Sequence, residues 1–253
     1  MPAPTPLISV IIVCRNPGPR LRTALASVWA QQKANYEIVV IDGSSTDGTR
    51  EWLETQRPRI AALISEPDGG IYDAMNKGIA NARGAWIQFL GADDRLANNE
   101  VLARVSELLA DRNPSVAAGE ARYDDGRIYQ PARASRVVRR NFVHHQATFY
   151  RRSLLTEIQG FDRRFRIMAD YDMNLKLWKR EISFEPLPWQ IAECGSGGLS
   201  DFGAWAGYRE EIAIRHQYFP SWRCWPWDLV SIGRFLRKKM IRRHSKVSPT
   251  PVP

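Results

Sequence analysis

Residues 7–41 read LISVIIVCRNPGPRLRTALASVWAQQKANYEIVVI. The apolar, β-branched runs at 7–14 and 36–41 are typical of strands that are buried on both faces of a parallel sheet. A Pro-Gly-Pro break separates them, and apolar side chains from Leu21 to Trp29 then recur at helical spacing. The stretch therefore predicts a strand, a helix and a second parallel strand.

The same alternation continues along the chain. Helices are predicted over 49–56, 73–81 and 99–109, and strands over 61–65 and 86–90. Strands and helices that alternate with short connections predict an α/β fold, with a doubly wound, mostly parallel sheet.

The second half of the chain is less regular. An Asp-Gly pair predicts a hairpin within 115–130. A basic stretch follows at 133–140, a helix is expected over 169–179, and a flexible glycine-rich loop at 195–198. We expect the main domain to end near Pro220.

Composition limits the classes of protein to be considered. With 44% hydrophobic and 25% charged residues, the 253-residue chain has an ordinary globular composition. No run of eighteen apolar residues and no signal peptide are apparent. The three cysteines lack metal-ligand spacing, which favours reduced thiols in a cytosolic protein.

The net charge of +9 is unevenly distributed. From Pro220 onward there are eight Lys or Arg and one acid, so the tail carries +7 and the rest of the chain only +2. A nearly neutral main body does not indicate nucleic-acid binding.

The tail itself has an amphipathic pattern. Three tryptophans precede an expected helix that begins near Pro226. Apolar side chains recur on one side of this helix between Leu229 and Met240, and basic residues flank them. The pattern predicts a helix lying in an anionic lipid interface. The alternative is a helix packed on the main domain with a solvated basic end.

Acidic residues follow three of the predicted strands. Asp42 ends the second strand, Asp68 follows the third, and Asp93 and Asp94 follow the fourth. Ligands of open α/β sheets bind at the carboxyl ends of the strands. Clustered carboxylates there repel each other unless a divalent cation or a ligand relieves the repulsion. The structural alternative is that these aspartates only shape turns and helix N-caps.

A dinucleotide-binding dehydrogenase would have a similar sheet. However, the first strand is followed by Arg15-Asn16-Pro17-Gly18-Pro19, which lacks the G-x-G-x-x-G pattern. No Walker lysine loop is present either. Acids and a metal ion would then have to hold any nucleotide.

Four segments together resemble family 2 glycosyltransferases, and most closely the bacterial polysaccharide-biosynthesis branch of the colanic acid enzymes. They are VVIDGSSTDGT (39–49), SEPDGGIYDAMNKGIANARGAWIQFLGADD (65–94), HHQATFYRRSLLTEIQGFD (144–162) and MADYDMNLKLW (168–178). The resemblance covers about residues 7–200. It implies a GT-A fold, a nucleotide-diphosphate sugar donor, a divalent cation (Mn or Mg) and inversion at the anomeric carbon.

The resemblance also implies roles for the strand-end acids. Asp42 would contact the nucleobase and Asp68 the base or ribose, and Asn76 would also belong to the nucleotide site. Asp93 and Asp94 match the acidic motif that binds the metal. Many members have an aspartate where this chain has Gly91, which leaves open which of the two acids ligates the metal directly.

Asp170 matches the general base of the family, which would deprotonate the attacking hydroxyl opposite the leaving group. Asp172 is the competing base, although in a helix the two would point to different faces. His145, Gln146 and Tyr171 would lie on the acceptor side. An N-cap role for Asp170 is compatible with catalysis.

The resemblance divides the chain into a GT-A domain over 1–219 and a basic, Trp-rich tail over 220–253. Within the domain, residues 7–95 would form the nucleotide-sugar half and 96–219 the acceptor half. The expected activity is inverting, metal-dependent transfer to a saccharide or lipid-linked saccharide in cell-surface polysaccharide synthesis. The enzyme would be cytoplasmic, and peripheral on the inner face of the membrane.

Two alternatives remain at this point. A sugar-nucleotide nucleotidyltransferase would need a basic, glycine-rich loop after the first strand, and Arg15-Asn16-Pro17 fits that requirement poorly. A catalytically inactive nucleotide-binding module of a membrane complex would show the same strand-end acids without turnover.

Overall fold

A computed structural model describes residues 5–132, 136–196 and 205–245, with side chains as far as residue 240. In its first part, strands and helices alternate as the sequence predicts. The elements are β1 (Ile8–Cys14), α1 (Arg20–Trp29), β2 (Tyr36–Asp42), α2 (Thr49–Thr55), β3 (Ala62–Ser65), α3 (Ile71–Asn81) and β4 (Trp86–Gly91).

The second part mixes short strands with helices. Its elements are β5 (Arg95–Leu96), α4 (Val101–Arg112), β6 (Val116–Tyr123), β7 (Ile128–Tyr129), β8 (Thr148–Arg151), α5 (Arg152–Glu157), α6 (Ala169–Lys179), β9 (Phe184–Cys194), α7 (Trp205–Tyr218) and α8 (Ser221–Ser245). The hairpin of β6 and β7 and the helix α6 were both expected. Parts of the basic stretch (133–135) and of the glycine-rich loop (197–198) lie outside the described residues.

The nine described strands form one sheet. Their order is β3-β2-β1-β4-β8-β6-β9-β5, and β7 pairs with β6. The first four strands are parallel. Strand β8 joins them to the second half by antiparallel pairing with β4 and β6, and β9 runs parallel to β6. The predicted doubly wound, mostly parallel sheet is thus confirmed.

Strand β1 shows why this half of the fold is so regular. All seven of its residues are buried, because the sheet is covered on both faces. Ile11 and Val13 belong to one core, and Ile8, Val10 and Ile12 to the other. Each fully buried aliphatic side chain of this size contributes about 1.5–3 kcal/mol of transfer free energy.

Helix α3 approaches β1 closely at a glycine. A Cβ atom at Gly78 would lie 2.4 Å from Cγ2 of Ile11, so a larger residue would push the helix away from the sheet. This contact sets the distance between α3 and β1.

The tail forms a helix, but its start differs from the expectation. Helix α8 begins at Ser221, so the tryptophans lie within it, and Pro226 sits inside its second turn. Proline has no N–H, so the hydrogen bond from position 226 to the Trp222 carbonyl is absent, close to the start of the helix. Among the described residues, no helix combines the length and apolarity that crossing a bilayer requires.

Candidate active site

A cleft of about 1010 Å³ opens where β1 and β4 end. The loops after these strands form one wall, and the starts of α3 and α6 form another. Residues of α7 and α8, among them Tyr208 and Arg234, close its far side. The cleft therefore lies at the sheet edge where α/β proteins bind ligands.

The acid pair after β4 divides into a buried and an exposed carboxylate. Asp94 is 4% exposed, and its two oxygens accept the N–H groups of Gly91 and Gly195, both at 3.0 Å. The side chain of Asp93 is 36% exposed and lies 4.0 Å from Arg20 Nη1. Asp94 thus holds the turn, and Asp93 presents its carboxylate to the cleft.

Asp94 feels the charge of its neighbour. Burial and, second, the charge of Asp93 raise the pKa of the Asp94 carboxyl to about 6. Such a concentration of negative charge fits a cation. Among the described residues no three His, Cys, Asp or Glu side chains form a metal cluster. A magnesium-like ion nevertheless needs only one or two carboxylates when substrate phosphates and water complete its shell, so Asp93 fits that requirement.

Across the cleft, Asp170 lies at the start of α6. Its carboxylate accepts a hydrogen bond from Asn141 Nδ2 at 2.7 Å, lies 3.3 Å from His145 Nδ1 and 3.4 Å from the Tyr72 hydroxyl. Burial raises the pKa of this carboxyl, but the hydrogen bond and electrostatic attraction of His145 outweigh burial, so the pKa lies below its usual range. Asp170 is therefore a carboxylate kept ionised inside the cleft.

Asp172, the competing base, points elsewhere. It is 1% exposed, pairs with Lys176 Nζ at 2.8 Å and accepts the Tyr218 hydroxyl at 2.7 Å. The two acids lie on different faces of α6, as the helical spacing predicts. Asp170 alone of the two lines the cleft.

A chain of buried polar groups continues behind Asp170. Asn174 Nδ2 donates to Asn141 Oδ1 at 2.9 Å, and the Tyr150 hydroxyl donates to Asn174 Oδ1 at 3.0 Å. Because each amide uses its oxygen as acceptor here, the Asn141 nitrogen must face Asp170. The sequence analysis missed this chain, although Asn174 lies four residues after Asp170, on the same helix face.

The residues expected to bind the nucleotide are mostly engaged within the protein. Asp42 is fully buried and accepts hydrogen bonds from Ser45 and from Ser65 Oγ, the latter at 2.7 Å. Asp68 accepts the N–H of Gly70 at 2.9 Å. These two acids shape the loops after β2 and β3, and neither lines the cleft.

Asn76, which was expected at the nucleotide site, also uses its side chain for hydrogen bonds within the protein. Its side-chain amide donates to the Phe161 carbonyl at 2.9 Å and accepts the Phe161 N–H at 2.8 Å. Both polar atoms therefore tie α3 to the loop that follows α5. This clamp requires Gly160, because a Cβ atom there would lie 2.3 Å from Asn76 Oδ1.

Of the three residues expected on the acceptor side, two line the cleft and one does not. His145 and Gln146 line the cleft, and Gln146 Oε1 is buried without a hydrogen-bond partner. Tyr171 is instead fully buried in the core, where its hydroxyl donates to the Val137 carbonyl. This placement corrects the expectation for Tyr171, because a side chain sealed in the core cannot contact an acceptor.

Basic residues surround the acids. The described lining contains seven basic side chains against the four acids Asp93, Asp94, Asp170 and Glu211. The basic residues are Arg15, Arg20, Arg127, Arg140, Arg166, Arg234 and Lys238. A cleft with this excess of positive charge favours an anionic ligand. The sequence analysis assigned none of the seven to this cleft, because five of them come from segments far from Arg15 and Arg20 in the chain.

Comparison with known proteins identifies the family. The model of glycosyl transferase family 2 matches residues 9–182. A PGL/p-HBAD biosynthesis glycosyltransferase of Mycobacterium bovis is 34% identical over 177 residues, which are 68% of this chain and 69% of that protein. The resemblance to the family is thus confirmed. The branch of the colanic acid enzymes remains a prediction.

Solved structures share the fold. TarS 1–349 of S. aureus in complex with UDP-GlcNAc gives a TM-score of 0.69 at 19% identity, over 82% of this chain and 64% of that one. The mannosyltransferase PcManGT of Pyrobaculum calidifontis, in complex with GDP-Man and Mn²⁺, gives 0.61 at 20% identity, over 97% and 81%. With the acids and the basic lining in one cleft, the conclusion is that the chain belongs to glycosyl transferase family 2.

Proposed function

We propose that the protein transfers a sugar from a nucleotide-diphosphate donor to an acceptor hydroxyl, with inversion, in bacterial cell-surface polysaccharide synthesis. The observation that carries this proposal is one cleft with two separate carboxylate centres, Asp93 amid basic side chains and Asp170 opposite. The fold relatives whose structures contain UDP-GlcNAc and GDP-Man support a nucleotide-sugar donor.

On the donor side, Asp93 would hold a divalent cation, Mn or Mg, through its exposed carboxylate. When bound, that ion neutralises the charge that builds up on the leaving diphosphate. Asp94 keeps the turn in place through its two backbone hydrogen bonds. Arg15 and Arg20 line the same part of the cleft and would bind phosphate oxygens. The Mn²⁺ in the P. calidifontis structure supports this assignment.

The nucleoside would lie against the loops after β2 and β3. In this proposal Asp42 acts by holding the loop that starts at Gly43, since its carboxylate is fully buried. Asp68 lies next to the same loop, because a Cβ atom at Gly43 would be 2.3 Å from Asp68 Oδ2. Asn76 contributes by clamping α3, which borders the site.

On the acceptor side, Asp170 would act as the general base. The attacking hydroxyl gives its proton to the Asp170 carboxylate as its oxygen bonds to the anomeric carbon, and the bond to the diphosphate breaks. Asn141 and His145 favour the ionised carboxylate before this step. Gln146 lines the same part of the cleft as His145 and would contact the acceptor there.

We propose a saccharide or lipid-linked saccharide as acceptor, used at the inner, cytoplasmic face of the cell membrane. The M. bovis relative is named for PGL/p-HBAD biosynthesis, and this name supports a role in building a cell-envelope glycoconjugate. The basic tail supports a position at an anionic surface.

A ligand screen followed by product analysis tests the proposal. Thermal shift with UDP, GDP and their sugars, with and without manganese, should select one nucleotide, because a ligand stabilises the state that binds it. Turnover of that donor should release a nucleoside diphosphate. Release of pyrophosphate would instead identify a nucleotidyltransferase, and binding without any turnover an inactive module.

A further inference from the structure

Exposed apolar side chains concentrate on one helix. Of the nine large hydrophobic residues that are exposed in the described part of the chain, six lie on α8. They are Trp222, Trp225, Leu229, Val230, Leu236 and Met240, with exposed fractions from 37% to 72%. Contiguous apolar surface of this kind on a protein marks a site of contact with another surface.

Five of these residues follow the period of the helix. Positions 222, 225, 229, 236 and 240 are separated by three, four, seven and four residues, so they form a single stripe, called here the outer stripe. A helix on the surface of a soluble domain normally turns such a stripe towards the core. Helix α8 turns it towards solvent.

Polar contacts hold the helix in this orientation. Ser231 and Cys224 are fully buried on the inner side of α8. Arg215 of α7, which is also fully buried, forms an ion pair with Asp228, and Arg234 pairs with Glu211 at 2.7 Å. Turning the outer stripe inwards would separate Asp228 from the fully buried Arg215, which is strongly unfavourable. The exposure of the stripe is thus built into the packing.

Basic side chains border the outer stripe. Arg223, Arg237 and Lys239 are exposed on α8, and the chain from Pro220 onward carries a net charge of +7. We propose that the outer stripe of α8 docks the protein on an anionic lipid bilayer, with the tryptophans and leucines in the headgroup region and the basic residues on lipid phosphates. A second copy fits this surface poorly, because a two-fold contact would bring the basic borders together.

The docked helix also forms part of the cleft. Arg234 and Lys238 of α8, and Tyr208 and Glu211 of α7, line its far side. Resting on the proposed function, docking would place the far side of the cleft about one helix diameter, roughly 10–12 Å, from the headgroups, because Arg234 and Lys238 lie on the side of α8 opposite the outer stripe. The acceptor is then a saccharide carried by a membrane lipid, whose sugar would extend from the headgroup region into the cleft towards Asp170.

The test compares three variants of the full chain with the wild type. The stripe variant carries Trp225→Gln, Leu229→Gln and Leu236→Gln, all at side chains that are at least half exposed. The border variant carries Arg223→Gln, Arg237→Gln and Lys239→Gln. The charge-matched control carries Arg50→Gln, Arg57→Gln and Arg104→Gln, at exposed positions on α2, after α2 and on α4.

Binding is measured by co-sedimentation with vesicles of phosphatidylglycerol and phosphatidylcholine in equal parts, at low and high salt. The wild type and the control should bind at low salt, and binding should weaken as salt rises. The border variant should bind on the order of 100-fold more weakly, from about 1 kcal/mol for each basic residue near the surface. The stripe variant should lose binding at both salt concentrations.

Three results would overturn the proposal. The first is a wild type that does not bind the vesicles at low salt, and the second is a border variant that binds them as tightly as the control does. The third such result is a wild type that is dimeric in solution and a stripe variant that is monomeric. Quenching of wild-type tryptophan fluorescence by brominated lipid gives a measurement that needs no variant. Because vesicle binding needs no donor, it succeeds or fails independently of glycosyl transfer. Donor hydrolysis should be unchanged in the stripe variant, and transfer to a lipid-borne acceptor should fall.

Discussion

Replacing Asn141 by alanine tests how the protein keeps Asp170 ready as a base. The change removes the 2.7 Å hydrogen bond to the Asp170 carboxylate. A hydrogen bond to a charged group contributes about 1.5–3 kcal/mol. Because this bond stabilises the ionised form, its loss reduces the fraction of Asp170 that is ionised at acid pH by about 10- to 100-fold. The conversion is that about 1.4 kcal/mol corresponds to a factor of ten in an equilibrium constant.

The direction of the expected pKa change follows from the hydrogen bond itself, because a donor to a carboxylate favours the ionised form. In the wild type the carboxylate stays ionised to unusually low pH. Removing the donor raises its pKa, so the acid limb of kcat should move to higher pH. At alkaline pH, where both proteins hold the ionised carboxylate, kcat should converge if the base stays in position.

The assay is the release of nucleoside diphosphate, measured from acid to alkaline pH for the wild type and Asn141→Ala. Tyr150→Phe is the matched control, because it removes the 3.0 Å hydrogen bond to Asn174 and leaves the donor to Asp170 in place. Its acid limb should move less. Donor affinity should be the same in all three proteins. Superimposable profiles for Asn141→Ala and the wild type, or an acid limb displaced to lower pH, would refute the reasoning.

Three further predictions concern the acids of the two sites. Turnover should stop in EDTA, and undiminished rates there would contradict the metal assignment. Asp93→Ala should lower kcat by roughly 10²–10³-fold. Asp94→Ala should lower it by roughly 10–100-fold. Asp170→Asn should lower kcat by about 10²–10⁴-fold at unchanged donor affinity by calorimetry; a loss of affinity would place the residue in the donor site. Asp42→Ala should lower the unfolding free energy by about 1–3 kcal/mol, and a urea midpoint equal to that of the wild type would show that its buried hydrogen bonds are not structural.

The first half of the fold could be predicted from local pattern alone. Buried parallel strands are continuously apolar, and the helices between them repeat with their own period. Strand β9 was missed because Pro186 and Pro188 interrupt its pattern. The structure accommodates them where the pairing of β6 with β9 shifts register, and such irregularities are where a strand tolerates proline.

The candidate site was only partly predictable. The spacing of the strands placed Asp42, Asp68 and Asp93 at the same edge of the sheet, which the structure confirms. Their exposure depends on residues that are distant in sequence. Ser65 helps to enclose Asp42, and Gly195 binds Asp94, which leaves Asp93 facing the cleft.

The sequence by itself determined the alternation of strands and helices, the acids at the strand ends and the amphipathic pattern of the tail, because these follow from local period and residue type. The tertiary structure decided which carboxylates face the cleft and which side of α8 meets solvent. Those outcomes depend on long-range partners. Arg215 holds the polar face of α8 against the domain, and with that buried ion pair in place the apolar stripe must point outward.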